Sequence, residues 1–361
     1  MRIKIVFFVF MLFLSTKQLI AYQELKITNE VKEHIKARIS RGNSYGIVIG
    51  VVSASGTEFF SYGKKTVTGE EKVDEHTIFE IGSVTKVITT LLLADMIIKQ
   101  EVKLSDPIEK YLPETVKIPE RAGKKITFEH LATHTSGLPH IPTNFSFDSD
   151  NKYSETELYD FLSGYKLTRD IGSEFEYSGM GMGLIGHTLS LIANKNFEQL
   201  LIERICNSLG MNSTRIFLNS ELKQRLSKAH SDKKETQYCY LPSVFDGAGS
   251  IRSTAVDLVN FLSANINIKN TVLKNAINLC HQPRKSTYGN EKIGLGWFIS
   301  KRNGREIFYH AGNTFGFASF CGFMKKVKVG VVVLSNSHSS VSDIGFHLLT
   351  DGQFELDTIE K

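Results

Sequence analysis

The chain has 361 residues, 41% hydrophobic, 22% charged and 10% aromatic, with a formal net charge of +5. These fractions exclude a disordered, collagen-like or low-complexity chain, and the length exceeds what one compact core usually holds, so two lobes are expected. Arg2, Lys4 and Lys17 lie in a candidate leader without acidic residues; removing them leaves +2, too little for a nucleic-acid partner.

Arg2 and Lys4 precede an unbroken apolar run from Ile5 to Leu14, and Leu19-Ile20-Ala21 supplies a small residue for cleavage. A membrane-spanning helix needs about 20 apolar residues, so residues 1–21 read as an export signal rather than a span. The mature chain then starts at Tyr22, is periplasmic or secreted, and keeps no stable membrane span. An uncleaved anchor is the alternative, because Leu19 and Ile20 partly extend the apolar stretch. Cys206, Cys239, Cys280 and Cys321 are widely spaced and form no CxxC pair, so they are expected mostly as buried free thiols.

Beyond the leader, Ile27, Val31, Ile35 and Ile39 recur at helical spacing. Gly46–Val52 reads as a buried strand, and Thr57–Tyr62 returns as its hairpin partner. Ser83–Ile98 is the strongest helix, apolar around much of its circumference and therefore central. Thr254 with Asp257 resembles a capping box before Leu258 and Val259. Four strand-like runs close the chain, at Ile293–Ile299, Glu306–His310, Phe317–Met324 and Val329–Leu334, followed by a helix over Val341–Leu349. The expected fold is mixed α/β: an antiparallel sheet with flanking helices built from both termini, and an inserted, mostly helical lobe. Within one catalytic domain, residues 22–361, the sheet lobe covers about 22–99 and 286–361 and the helical lobe about 100–285.

Ser83 and Lys86 stand three apart at the start of the central helix, on one face and within reach of each other. A hydroxyl there faces free backbone N–H groups, and the amine can take its proton. The spacing also occurs at Ser163/Lys166, Ser220/Lys223 and Ser231/Lys234, but in polar sequence without a glycine-led entry into an apolar helix. Ser83 alone is either a nucleophile or an N-cap serine. An ordinary lysine, pKa about 10.4, is a poor base at neutral pH until burial lowers it. Tyrosine is a second candidate base if cations stabilise its phenolate, and Tyr177 opens another apolar helix.

With Ser83-Val84-Thr85-Lys86 and Tyr177-Ser178-Gly179 in order, two more segments complete a pattern: Leu131–Pro139 (LATHTSGLP) and His310-Ala311-Gly312-Asn313-Thr314-Phe315-Gly316. Gly247-Ala248-Gly249-Ser250, with Ser253-Thr254-Ala255, adds a glycine-rich stretch before a helix. The chain resembles the penicillin-recognising serine hydrolases of the class C β-lactamase and D-alanyl-D-alanine carboxypeptidase type, over nearly its whole mature length. The resemblance implies a β-lactamase/transpeptidase-like fold and an acyl-enzyme on Ser83, with Lys86 accepting or relaying its proton and Tyr177 assisting as general base. It places the oxyanion between the backbone N–H groups of Ser83 and Asn313, with Gly312, His310 and Gly179 at the substrate. The substrate it implies is a small β-lactam, or a D-Ala-D-Ala peptide for a cell-wall peptidase; an esterase and an acylatable sensor without turnover are further readings. No cofactor is implied, and the protein is expected as a monomer.

Two positions depart from the family pattern. The tyrosine motif normally reads Tyr-Xaa-Asn, and Gly179 stands in place of the asparagine whose amide holds an acylamino side chain. The last motif often begins with lysine, and His310 stands there; an ordinary histidine is mostly neutral at pH 7 and should attract a carboxylate less, gaining charge below about 6.5. His130 and His134 are four apart, but Leu131 occupies the glutamate position of a zinc-protease motif and no third ligand is evident, so no metal is assigned. Gly179, Gly181 and Gly183 lack the strand-to-helix unit of a phosphate loop, and Lys325, Lys326 and Lys328 read as a solvated turn.

Overall fold

A computed structural model describes residues 26–147, 153–231 and 234–350, so the leader read over residues 1–21 lies outside the described residues. Helix α1 (Asn29–Ser40) starts where the Thr28 side chain accepts from the Val31 N–H. Strands β1 (Gly46–Ser53) and β2 (Gly56–Gly63) form the N-terminal hairpin. Helix α2 (Thr85–Ile98) follows the motif at Ser83, and every residue from Thr85 to Met96 is buried, as expected for a helix apolar on most sides. Helices α3 (Gly179–Ala193) and α4 (Ala255–Asn265) are the other long ones of the middle region. The C-terminal third supplies β3 (Lys285–Ser286), β4 (Lys292–Ile293), β5 (Phe298–Arg302), β6 (Arg305–Asn313), β7 (Ala318–Met324), β8 (Val329–Ser335) and helix α5 (Ser342–Thr350).

These eight strands join one antiparallel sheet in the order β2-β1-β8-β7-β6-β5-β4-β3, apart from two small two-stranded ladders elsewhere. The two ends of the chain meet where Ile47 pairs with Ser335 and Val52 with Gly330. Alternation along β1 decides the layers: Ile47, Ile49 and Val51 face one core, Val48 and Val52 the other. The first core is closed by Val31 and Ile35 of α1 and by Ile344 and Leu348 of α5. The second is larger and runs through α2 into the helical region. No helix among the described residues is long and apolar enough to cross a membrane.

Two local expectations are corrected. Ile293–Ile299 is not one strand: Gly294 to Trp297 form a buried turn between β4 and β5, with Gly296 at φ +73° and Thr90 Oγ donating to the Leu295 carbonyl. The apolar residues there are buried beneath α2 rather than laid out along the sheet. At α4, Thr254 caps the Asp257 N–H, but the Asp257 carboxylate accepts from Ser213 N–H and Thr214 Oγ instead of completing the box. All four cysteines are free thiols; Cys206, Cys280 and Cys321 are buried and Cys239 is half-buried.

Candidate active site

The turn carrying Ser83 is shaped by Gly82, whose φ of +49° suits glycine. A Cβ there would lie 2.7 Å from the Asn313 carbonyl oxygen, so the turn rests directly on the end of β6. Gly312 is equally constrained: a Cβ would meet Ile81 O at 2.2 Å and Ser83 N at 2.8 Å. Ser319 Oγ donates to Ile81 O at 2.8 Å, locking turn and sheet together. Ser83 therefore sits where the backbones of 82–83 and 312–313 converge, and its hydroxyl makes no helix cap.

Lys86 Nζ lies 2.8 Å from Ser83 Oγ and donates to the Ala248 carbonyl at 2.7 Å. The glycine-rich stretch at 247–250 is thus a wall of the site, with Thr89 Oγ donating to Gly247 O. Lys86 is 2% exposed, and burial pushes its pKa down to about 7, so a large part is free amine at neutral pH. Its nitrogen stands 5.0 Å from the Tyr177 ring centroid.

Tyr177 hydrogen-bonds Ser83, but burial raises its pKa further, against that bond. The imidazoles of His134, His140 and His310 lie 4.6, 5.5 and 6.2 Å from its ring, each with a lowered pKa, so none of them supplies a cation to a phenolate; the ammonium form of Lys86 is the cation beside the ring. Burial thus favours the phenol form of Tyr177, able to donate, and the free amine of Lys86 beside Ser83.

His310 is buried, and burial, with Lys86 adding to it, pushes its pKa down to about 3. Its Nδ1–H donates to Ala311 O at 2.7 Å. Burial therefore moves the charge expected below pH 6.5 to far lower pH.

The segment Leu131–Pro139 caps the helix that follows Tyr177. Ser178 N–H donates to His134 Nδ1, Ser178 Oγ accepts from Gly181 N–H and donates to Pro139 O, and Glu176 N–H donates to His134 O. His130, by contrast, turns to Thr127, so the two histidines do not converge. Gly179 lies at the pocket with Ser83, Lys86 and Asn313. Of the other serine–lysine pairs, Ser163 spends its hydroxyl on the Lys117 N–H and Ser220 lies exposed on a short surface helix. The sequence pattern did not single out His140, the Ala248 carbonyl or Ser319; His140 directly follows the LATHTSGLP segment, but only tertiary structure brings it beside Gly179.

A profile of the Beta-lactamase family matches residues 31–347. The chain belongs to the Beta-lactamase family. As a penicillin-recognising serine hydrolase it is 26% identical over 350 residues to a β-lactamase of Escherichia coli K12, covering 87% of this chain and 89% of that one. It is also 26% identical over 305 residues to the D-alanyl-D-alanine-carboxypeptidase/endopeptidase AmpH of the same organism, covering 80% and 78%. Among solved structures, a class C β-lactamase superposes with a TM-score of 0.80 at 19% identity, covering 90% of this chain and 98% of that one. A β-lactamase/D-alanine carboxypeptidase from Pseudomonas syringae does so at 0.75 and 20%, covering 85% and 93%. The mixed α/β fold expected of the family is the fold present.

Proposed function

We propose that the protein hydrolyses the amide of a β-lactam through an acyl-enzyme on Ser83. The observation that carries this reading is the 2.8 Å approach of a buried amine, Lys86 Nζ, to Ser83 Oγ. With its pKa near 7, Lys86 takes the Ser83 proton as the oxygen attacks the carbonyl carbon. The tetrahedral oxyanion lies against the backbone N–H groups of Ser83 and Asn313, a donor typically stabilising the transition state by about 3–4 kcal/mol. Tyr177, a phenol hydrogen-bonded to Ser83, passes its proton to the departing nitrogen and is reprotonated from Lys86. Water then attacks the ester, with Lys86 again as base. The relatives named β-lactamase support the β-lactam as substrate, and the apolar run at Ile5–Leu14 supports export to the periplasm or beyond, where such substrates are met.

The neutral, buried His310 favours a second reading, ester hydrolysis, because an ester needs no carboxylate anchor. The AmpH relative supports a third, release of terminal D-alanine from cell-wall peptides. Intact-protein mass after mixing with benzylpenicillin, followed from seconds to hours beside Ser83→Ala, separates these. An adduct that forms and decays while hydrolysed drug accumulates is the expected result. A stable adduct means a peptidase or sensor, and no adduct with no turnover ends the β-lactam reading in favour of esters.

A further inference from the structure

Gly179 begins α3 and carries no side chain, and the space beside it is taken by His140: a Cβ at 179 would lie 3.1 Å from both His140 Cε1 and His140 O. Two bonds clamp this histidine to the helix start. The Met180 N–H donates to the His140 carbonyl at 2.9 Å, and the Gly179 N–H donates to His140 Nδ1 at 3.1 Å. Nδ1 is thereby an acceptor, so the neutral ring carries its proton on Nε2. Burial lowers the pKa of the ring, which keeps it in that neutral form at pH 7. The residue is nonetheless exposed on one side and rims the pocket that opens at Ser83.

Behind His140 the pocket is apolar. Phe145, Phe147, Phe245, Leu241, Met180 and Ile141 line it. Phe145 packs edge-on against Phe245 and Phe147, with centroids 5.6 and 4.9 Å apart. Among the described lining residues Lys86 is the only lysine, arginine, aspartate or glutamate, and it is engaged with Ser83 and Ala248. A charged acyl group would be desolvated there without a partner, whereas an aryl or alkyl body buries apolar surface.

We infer that His140 is a specificity-determining residue whose Nε2–H donates to an amide carbonyl on the acyl side of the substrate, and that the phenylalanine-lined pocket behind it selects an uncharged, apolar acyl body. The inference rests on Ser83 acylation, so its test uses simple esters and does not depend on whether the natural substrate is a β-lactam.

The test compares kcat/KM for three p-nitrophenyl esters, with the rate of Ser83→Ala subtracted. N-phenylacetylglycyl carries the amide and an aromatic body, 5-phenylpentanoyl has the same length without the amide, and N-succinylglycyl carries the amide with a terminal carboxylate. The wild-type protein should prefer phenylacetylglycyl to succinylglycyl by at least about tenfold. The ratio of phenylacetylglycyl to phenylpentanoyl should fall about 3- to 10-fold in His140→Ala, the span of one ordinary hydrogen bond. His140→Asn can still accept from Gly179 N–H but has no donor at the Nε2 position, and should lose the ratio likewise. His140→Gln places an amide N–H near that position and should keep it, which a purely capping role does not predict. An unchanged ratio in both His140→Ala and His140→Asn overturns the role of His140, and equal rates for succinylglycyl and phenylacetylglycyl overturn that of the pocket. Absence of Ser83-dependent turnover of all three esters would instead remove acylation itself, and this inference with it.

Discussion

The carbonyl of Ala248 accepts a hydrogen bond from Lys86 Nζ at 2.7 Å, while the same nitrogen lies 2.8 Å from Ser83 Oγ. A neutral amine donates one hydrogen to Ala248 and turns its lone pair to the serine; an ammonium cannot. Because burial brings the pKa to about 7, kcat/KM should climb nearly tenfold per pH unit well below 7 and level off above it. Lys86→Met should lower the acylation rate by about 10²–10⁴-fold. Stopped-flow acylation between pH 5 and 9 checks both, and a profile without an inflection near 7 would exclude Lys86 as the base.

How far the site could be read from sequence depends on how local each contact is. Ser83 and Lys86 are one helical turn apart, so spacing alone brings them together. The Ala248 carbonyl lies 162 positions away in the short helix Asp246–Gly249; the glycine-rich pattern marks the segment, but a backbone atom makes the contact, so no residue type marks the bond itself. The strands β1, β2, β7 and β8 were legible because their apolar patterns match the two packed faces of the sheet. Gly294–Trp297 reads as strand because a buried turn and a buried strand need the same apolar residues, and only Gly294 and Gly296 mark the turn locally. How the base role divides between Lys86 and Tyr177 is not set by the motifs, because burial moves Lys86 down and Tyr177 up, and burial is a property of the whole fold.

The same burial makes Lys86 a stability cost. An unfolded lysine titrates near 10.5 and the folded one near 7, so between these values the unfolded chain binds more protons. Native stability should therefore rise with pH from 7 to 10.5, and the full penalty applies below 7. Lys86→Met should raise Tm at pH 7 by at least ~2 °C, with the gain shrinking towards pH 10.5. Calorimetry of both proteins at pH 7 and 10 checks the sign; a gain that grows with pH would contradict it.

Gly312 has no room for a methyl group. A Cβ would press on Ile81 O, Ser319 Oγ and Ser83 N, forcing the Ser83 turn away from the end of β6. Gly312→Ala should reduce kcat by about 10²–10³-fold, as when one oxyanion donor is lost, while the far-ultraviolet circular dichroism stays the same. Retained activity would mean that the Ser83 and Asn313 N–H groups do not act as a pair.

His310 offers a test of charge at the substrate end. Its pKa of about 3 keeps it neutral across the working range, so the rate on carboxylate-bearing substrates relative to plain esters should not improve between pH 6.5 and 5. His310→Lys adds a cation near Lys86, which disfavours the Lys86 ammonium. The inflection near pH 7 should move downward, and carboxylate substrates should gain more than plain esters. Equal effects on the two substrate sets would show that position 310 does not meet the carboxylate.

Glu80 and Arg252 form a buried ion pair at 3.0 Å, 3% and 7% exposed at their side chains, just before the Ser83 turn. Glu80 also accepts from the Cys239 N–H, and Arg252 donates to Ile216 O at 2.7 Å, so the pair ties the wall of the pocket at Cys239 to the Ser83 turn. Burial pushes the Glu80 carboxyl up and Arg252 opposes the shift, so the carboxylate depends on its partner. Removing one partner leaves a buried charge uncompensated, which costs about 3–5 kcal/mol. Glu80→Gln and Arg252→Met should each show that loss in urea unfolding, and the double variant should lose less than the two together by at least ~1 kcal/mol. The single variants should also acylate more slowly than the double one relative to their folded fraction, because the stranded charge draws water or a counter-ion to the pocket wall. Strict additivity in the cycle would show that the two side chains stabilise the turn independently, and that the pair is not what holds Cys239 against it.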